Sequence, residues 1–109
     1  MYYIEKKFEI SASHSLILDY ESKCTSLHGH NWIITVYCKS SILNKNGMVV
    51  DFSEIKENIS KKMDHKNLNE VFSFNTTAEN IAFWICNEIK NCYKVKVQES
   101  DGNIAIYEI

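Results

Sequence analysis

Apolar and polar residues alternate from Tyr2 to His14, and the alternation places His14 at the end of the apolar side. Such a period of two predicts a β-strand with one buried face. A second alternating run begins at His28 and contains Trp32, Ile34, Val36 and Cys38. An antiparallel hairpin of these two strands would bring His14 beside His28 and His30.

Two later segments have the residue spacing of amphipathic helices. The first is predicted over residues 51–63 and begins with an Asp-led capping box at Asp51. The second is predicted over residues 77–91 and follows the capping box Thr76-x-x-Glu79. Their apolar stripes consist of Ile55, Ile59 and Met63 in the first helix and of Ile81, Trp84, Ile85 and Ile89 in the second.

Two further strands are predicted near the carboxyl end. Residues 93–97 alternate as the third strand and Ile104–Glu108 as the fourth, with a hairpin turn at Asp101-Gly102. Glu99 ends the third strand on its apolar face, where an acidic group either has a buried partner or marks the point at which that face meets water. The order ββααββ predicts an α+β fold, a four-stranded antiparallel sheet with two helices on one face.

The composition predicts a single domain over residues 1–109, because 109 residues of which 45% are hydrophobic suffice for one core. The chain contains no apolar run suited to a membrane span or a signal peptide, so we expect a cytoplasmic protein with no membrane partner. The net charge is −2 and the 12 basic residues are scattered, which argues against nucleic acid as a partner. Open edges in so small a sheet predict a homo-oligomer.

The four cysteines are expected to be free thiols, since no Cys-x-x-Cys pair occurs and a cytoplasmic chain rarely keeps disulfides. Cys38, Cys86 and Cys92 lie in apolar patterns and are predicted to be small buried groups. Cys24 differs because it lies among polar residues just before two histidines. A nearby metal or cation would make its thiolate available at neutral pH, and the alternative is an exposed loop cysteine without chemistry.

The segment from Cys24 to His30 is the main candidate for chemistry. If it is extended, His28 and His30 project from the same face, about 6 to 7 Å apart along the strand. That spacing suits two ligands of one metal ion, although a bare His-x-His also occurs in half-exposed strands. His14 would be a third ligand and would leave one position of a tetrahedral zinc ion open, unless it only caps the sheet edge.

Asp64 and His65 follow the first predicted helix. A carboxylate next to a histidine can orient it or relay a proton only if the local turn lets the two meet or face a common partner. The alternative is a histidine that serves only as a favourable charge at the negative end of the helix dipole.

Six motifs, in this order, resemble the 6-pyruvoyl-tetrahydropterin synthase and 6-carboxy-tetrahydropterin synthase family. They are Phe8-x-Ile10-x-Ala12-x-His14, Cys24-x-x-x-His28-Gly29-His30, Gly47-Met48-Val49-Val50-Asp51-Phe52, Asp64-His65-x-x-Leu68-Asn69, Thr77-Ala78-Glu79-Asn80 and Val97-x-Glu99. The resemblance covers nearly the full length and implies the tunnelling fold (T-fold), in which subunits join their sheets into a ring and rings stack. It implies a hexamer of stacked trimers with active sites between subunits.

The resemblance also implies a role for each matching residue. The zinc ligands are matched by His14, His28 and His30. The proton-transfer groups are matched by Cys24 as the base and by Asp64 and His65 as the relay. The substrate-binding residues are matched by Glu99, which would anchor the pterin ring, and by Thr77 and Glu79, which the adjacent subunit would donate.

The spacing of three residues between Cys24 and His28 resembles the 6-carboxy-tetrahydropterin synthases of queuosine and 7-deazaguanine biosynthesis. This implies a zinc-dependent carbon–oxygen and carbon–carbon lyase that converts 7,8-dihydroneopterin triphosphate to 6-carboxy-5,6,7,8-tetrahydropterin, with loss of triphosphate and acetaldehyde. The alternatives are a 6-pyruvoyl-tetrahydropterin synthase, which eliminates triphosphate without carbon–carbon cleavage, and a non-catalytic zinc-containing pterin-binding module. The chain departs from the family pattern at Thr25, where a basic residue is common and here only Lys23 lies nearby, and at Thr76, where proline is common.

Overall fold

A long β-hairpin is the frame of the fold. In the computed structural model, which describes residues 1–109, β1 (Tyr2–His14) pairs antiparallel with β2 (His28–Ser40) along its whole length. The register places His14 opposite His28 and Ala12 opposite His30. The predicted hairpin is therefore confirmed, and it gathers the histidines at one of its ends.

The sheet has five strands, in the spatial order β3-β1-β2-β4-β5. β4 (Cys92–Ser100) and β5 (Asn103–Glu108) form the predicted second hairpin, with Gly102 at φ 79° in its turn. β3 (Lys66–Asn67) pairs in parallel with β1 at the opposite edge. The prediction of a four-stranded, purely antiparallel sheet is wrong, because a strand of two residues has no alternation to detect.

Three helices connect these strands: α1 (Phe52–Met63), α2 (Leu68–Val71) and α3 (Ala78–Glu88). The prediction of two helices is wrong because it missed α2, which is a single turn. α1 begins after Asp51, as predicted, and the Asp51 side chain accepts a hydrogen bond from the Ser53 N–H at 2.8 Å. None of these helices has the length and apolar character needed to cross a membrane.

The start of α3 differs by one residue from the prediction. Its N-cap is Thr77, whose hydroxyl accepts a hydrogen bond from the Asn80 N–H at 3.1 Å. Thr76 is fully buried, and its carbonyl oxygen lies 2.8 Å from Nδ1 of His14. The predicted capping box at Thr76 is wrong because this residue contacts the histidine and not the helix end.

One apolar core lies between the sheet and the helices. Trp32 is fully buried in it, and the indole N–H donates to the Ala12 carbonyl at 3.2 Å. The Trp32 ring lies edge-on to His14 and His30, with ring centroids 4.8 and 5.6 Å apart. The core thus directly supports the end of the hairpin that contains the histidines.

Candidate active site

Three imidazoles meet at one end of the hairpin, His14 from β1 and His28 and His30 from β2. Their ring centroids are 4.6 Å apart for His14 and His28, 5.3 Å for His14 and His30, and 4.8 Å for His28 and His30. One nitrogen of each ring lies within 4.8 Å of the others. The three side chains therefore form a candidate metal site with nitrogen ligands.

Backbone carbonyls orient two of these imidazoles. Nδ1 of His14 lies 2.8 Å from the Thr76 carbonyl oxygen, and Nδ1 of His28 lies 2.7 Å from that of Ser26. A carbonyl oxygen only accepts, so each Nδ1 has the proton and each Nε2 keeps its lone pair. This arrangement is typical of histidines that bind a metal ion through Nε2.

Two of the three imidazoles have an Nε2 atom without a hydrogen-bond partner. Nε2 of His14 and Nε2 of His30 are buried and make no hydrogen bond. Burial lowers the pKa of His14 below its ordinary value, which keeps this imidazole neutral near pH 7. Neutral imidazole is the form that binds zinc and other transition metals, so the donor set fits such an ion.

Glu99 of β4 lies beside the imidazoles and is 23% exposed. Its carboxylate oxygens lie 3.4 Å from Nε2 of His30 and 3.6 Å from Nε2 of His14. The pairing of β4 with β5 is irregular between Gln98 and Ser100, and such a β-bulge re-aims the side chain within it. The carboxylate and Nε2 of His14 therefore face each other without a hydrogen bond.

Cys24 lies in a 3₁₀ turn, Lys23–Thr25, within the loop between β1 and β2. The hydroxyl of Ser22 caps this turn by accepting the Cys24 N–H at 3.1 Å. The Cys24 thiol is free and partly exposed. Together with Lys23, His28, His30 and Glu99 it lines a cavity of about 500 Å³. The structure therefore places the thiol, two of the imidazoles and the carboxylate around one cavity.

Thr77 and Glu79 line a second cavity, of about 370 Å³, together with Glu99. Glu99 and Asn103 line both cavities, so the two cavities meet at the carboxylate. Thr77, Glu79 and Glu99 therefore line one cavity of a single chain. The donation of Thr77 and Glu79 by an adjacent subunit stays a prediction.

Asp64 and His65 do not line the Cys24 cavity. Oδ1 of Asp64 accepts the Ser11 N–H at 2.9 Å, and its Oδ2 lies 3.7 Å from Nε2 of His65, whose side chain is 83% exposed. His65 lines a different cavity, of about 520 Å³, with Ser11 and Asn31. His30 lines both this cavity and the Cys24 cavity. Ser11 and Asn31 alternate with the buried positions of β1 and β2, so their side chains project from the face of the sheet opposite the core. The relay of Asp64 and His65 to Cys24 stays a prediction.

Two residues that orient the imidazoles, Ser26 and Thr76, were not predicted as part of the site. Both act through their backbone carbonyls. A carbonyl is present at every residue, so no pattern of side chains could have identified these two. The replacement of a common proline at Thr76 was the only signal, and it indicated nothing about His14.

Comparison with known proteins finds relatives along nearly the whole chain. The family model described as 6-pyruvoyl tetrahydropterin synthase matches residues 3–109. The chain is 32% identical over 130 aligned positions to 6-pyruvoyl tetrahydrobiopterin synthase from Homo sapiens, covering 96% of this chain and 90% of that protein. It is 33% identical over 121 positions to 6-carboxy-5,6,7,8-tetrahydropterin synthase from Synechocystis, covering 98% and 93%. The structure of 6-pyruvoyl tetrahydropterin synthase from Caenorhabditis elegans is similar with a TM-score of 0.78 and 27% identity, covering 99% and 95%.

Proposed function

The chain belongs to the 6-pyruvoyl tetrahydropterin synthase family, and from this premise we propose that it is a zinc-dependent 6-carboxy-5,6,7,8-tetrahydropterin synthase. It would convert 7,8-dihydroneopterin triphosphate with release of triphosphate and acetaldehyde, in queuosine and 7-deazaguanine biosynthesis. The spacing of three residues between Cys24 and His28 supports this product. Overall identity does not separate the two activities, since it is 32% to the human pyruvoyl enzyme and 33% to the Synechocystis carboxy enzyme.

The main support for the proposal is the group of three imidazoles, two of which line one cavity with Cys24 and Glu99. His14, His28 and His30 would hold zinc and leave one position for the substrate, as in catalytic zinc sites. A zinc ion bound there would act as a Lewis acid on the side-chain hydroxyl oxygens of the substrate and acidify the adjacent C–H bonds.

The other side chains of the two cavities have complementary proposed roles. Cys24, as a thiolate, would accept the proton from the acidified carbon. Glu99 would accept hydrogen bonds from the ring N–H and the amino group of the pterin, with Thr77 and Glu79 beside the ring. Lys23 is the only lysine that lines the Cys24 cavity, and the chain has no arginine, so Lys23 would face the triphosphate.

We also propose that the protein is a homo-oligomer, a hexamer of stacked trimers, built from one domain over residues 1–109. Asp64 and His65 of one subunit would complete the proton relay at Cys24 of the next. The support is that Cys24 and His65 line different cavities of one chain. We propose a cytoplasmic location, with no membrane or nucleic-acid partner.

Product analysis tests the proposed reaction. The zinc-loaded protein is incubated with 7,8-dihydroneopterin triphosphate, and the products are identified by mass spectrometry. We expect 6-carboxy-5,6,7,8-tetrahydropterin and acetaldehyde. The second candidate, 6-pyruvoyl-tetrahydropterin synthase, is the activity in the description of the family model and would give the pyruvoyl product without acetaldehyde. Binding without turnover would indicate a non-catalytic zinc-containing pterin-binding module.

A further inference from the structure

Two asparagine side chains bind the backbone of the segment that follows β1. Asn69 accepts the Ser15 N–H through Oδ1 at 2.8 Å, and its amide nitrogen donates to the Ser15 carbonyl at 2.8 Å. Asn75 pairs with Ile17 in the same way, at 2.9 and 3.0 Å. Each amide therefore satisfies both backbone groups of one loop residue, as a neighbouring strand would.

Leu16 links this pair of asparagines to Cys24. Its N–H donates to the Cys24 carbonyl at 2.8 Å. Because the residues on both sides of Leu16 are held by the asparagines, the direction of its N–H is held as well. The backbone of Cys24 is therefore tied, through one hydrogen bond, to Asn69 and Asn75.

The segment that contains the two asparagines also orients a candidate metal ligand. Thr76 follows Asn75 directly, and its carbonyl oxygen lies 2.8 Å from Nδ1 of His14. The Thr76 hydroxyl also donates to Oδ1 of Asn69 at 3.4 Å. One short stretch, residues 69–76, therefore fixes both the imidazole of His14 and the loop that contains Cys24.

Stability alone gives little reason for the paired contact at Ile17. The Ile17 side chain is 74% exposed, and both of its hydrogen bonds to Asn75 lie at the surface. Water would satisfy the same N–H and C=O groups, so the net gain in stability is small. What water cannot supply is a fixed position for the backbone between Ile17 and Cys24.

We propose that Asn69 and Asn75 are positioning residues for Cys24, which act through Leu16 to hold the thiol at the cavity of the imidazoles. This role rests on the proposed function, in which Cys24 is the base. Reaction rates depend steeply on the placement of a reacting group, and a shift of about 1 Å can cost about a hundredfold.

The variant Asn75→Ala tests this role, with Asn87→Ala as the matched control. Asn87 is an exposed asparagine of α3 whose amide donates to the Phe83 carbonyl at 2.8 Å within the same helix. For zinc-loaded Asn75→Ala we expect faster backbone hydrogen exchange in residues 15–24 and a changed rate of Cys24 alkylation by iodoacetamide. We expect kcat to fall at least about tenfold, with KM and zinc content nearly unchanged, because the pterin and metal contacts remain. Asn87→Ala should match the wild type in every measurement.

Unchanged hydrogen exchange in residues 15–24 of Asn75→Ala would overturn the proposal. Faster exchange with an unchanged kcat would also overturn it, because the loop would then not control Cys24. If Asn75→Ala fails to fold, Asn75→Asp replaces it, since it keeps the acceptor for the Ile17 N–H and loses only the donor. A wild-type protein without turnover would contradict the proposed function alone, and the exchange and alkylation rates would still decide whether the asparagines hold Cys24.

Discussion

Backbone carbonyls decide which nitrogen is free in two of the three imidazoles at the candidate site. The carbonyl that orients His28 belongs to Ser26, two residues earlier, in the loop that precedes β2. The carbonyl that orients His14 belongs to Thr76, 62 residues away in the sequence. The pair His28 and His30 was therefore recognisable from local spacing. The support for His14 depends on how the chain folds back, which no local pattern contains.

Replacement of one imidazole should remove most of the metal. We expect His28→Ala to lose its zinc, because two nitrogen ligands rarely suffice. Loss of the hydrogen-bond partner of a metal ligand lowers metal affinity by about 10- to 100-fold. Loss of the ligand itself should lower the affinity at least as much. The control is His65→Ala, whose side chain is 83% exposed and lines another cavity. Metal analysis of both variants tests this prediction. Full zinc occupancy in His28→Ala would mean that His28 is not a zinc ligand.

Cys24→Ala should keep the zinc and the fold but lose turnover by about 10²- to 10⁴-fold, the usual contribution of a general base. The control is Cys86→Ser. Burial raises the pKa of the Cys86 thiol to about 12, so this thiol stays protonated at pH 8 and cannot act as a base. We expect Cys86→Ser to lower stability more than turnover. Steady-state rates at equal zinc content test both variants, and near-normal turnover of Cys24→Ala would mean that another group is the base.

Glu99→Gln should weaken pterin binding at least about tenfold, which corresponds to about 1.4 kcal/mol. A hydrogen bond to a charged acceptor contributes about 1.5 to 3 kcal/mol, and the glutamine amide would place an N–H₂ group against a ring donor. Zinc content should stay the same, since Glu99 is not a proposed ligand. Calorimetric titration with a non-reacting pterin measures the effect, with the exposed Glu88→Gln as control. Unchanged affinity would mean that the ring binds elsewhere.

At the scale of elements, the length of each strand or helix decided whether the sequence could predict it. The two strands of the long hairpin have 13 residues each, and their alternation gave both bounds of β1 and the start of β2. β3 has 2 residues and α2 has 4, too few to show any period. These two short elements lie between Asp64 and Thr76. The segment that is proposed to hold the Cys24 loop, residues 69–76, therefore lies where the hydrophobic pattern of the sequence is weakest.

The start of α1 offers a test of stability that leaves the site untouched. Asp51→Ala removes the N-cap that accepts the Ser53 N–H, and we expect the free energy of unfolding to fall by about 1 kcal/mol. Zinc content and turnover should not change. Denaturant unfolding measures the loss, with the exposed loop variant Asp19→Ala as control. If the two variants unfold at the same denaturant concentration, water replaces the Asp51 cap without cost.

At the scale of the whole molecule, the proposed proton-transfer groups lie at two cavities. Cys24 lines one and His65 the other, and His30 lines both. The edge strand β5 exposes apolar side chains, with Ile104 at 46% and Ile106 at 57% exposure, and such an edge favours pairing with another strand. A homo-oligomer was predicted from the sequence. The residues at its interfaces, Thr77 and Glu79, were given only by the family resemblance, because the patterns of one sequence do not specify the arrangement of several copies.

Mixing two inactive variants should restore activity if the relay forms between subunits. Cys24→Ala and His65→Ala are each expected to lose turnover as pure oligomers. In oligomers reassembled from an equal mixture, about one site in four would combine an intact Cys24 with an intact His65 from its neighbour, so turnover should reach about a quarter of the wild-type value. If both groups acted within one chain, no mixed oligomer could contain a complete site. Turnover after unfolding and joint refolding measures the outcome, and separately refolded samples mixed afterwards serve as the control. A mixture as inactive as its components, in oligomers shown by native mass spectrometry to contain both variants, would contradict a relay between subunits.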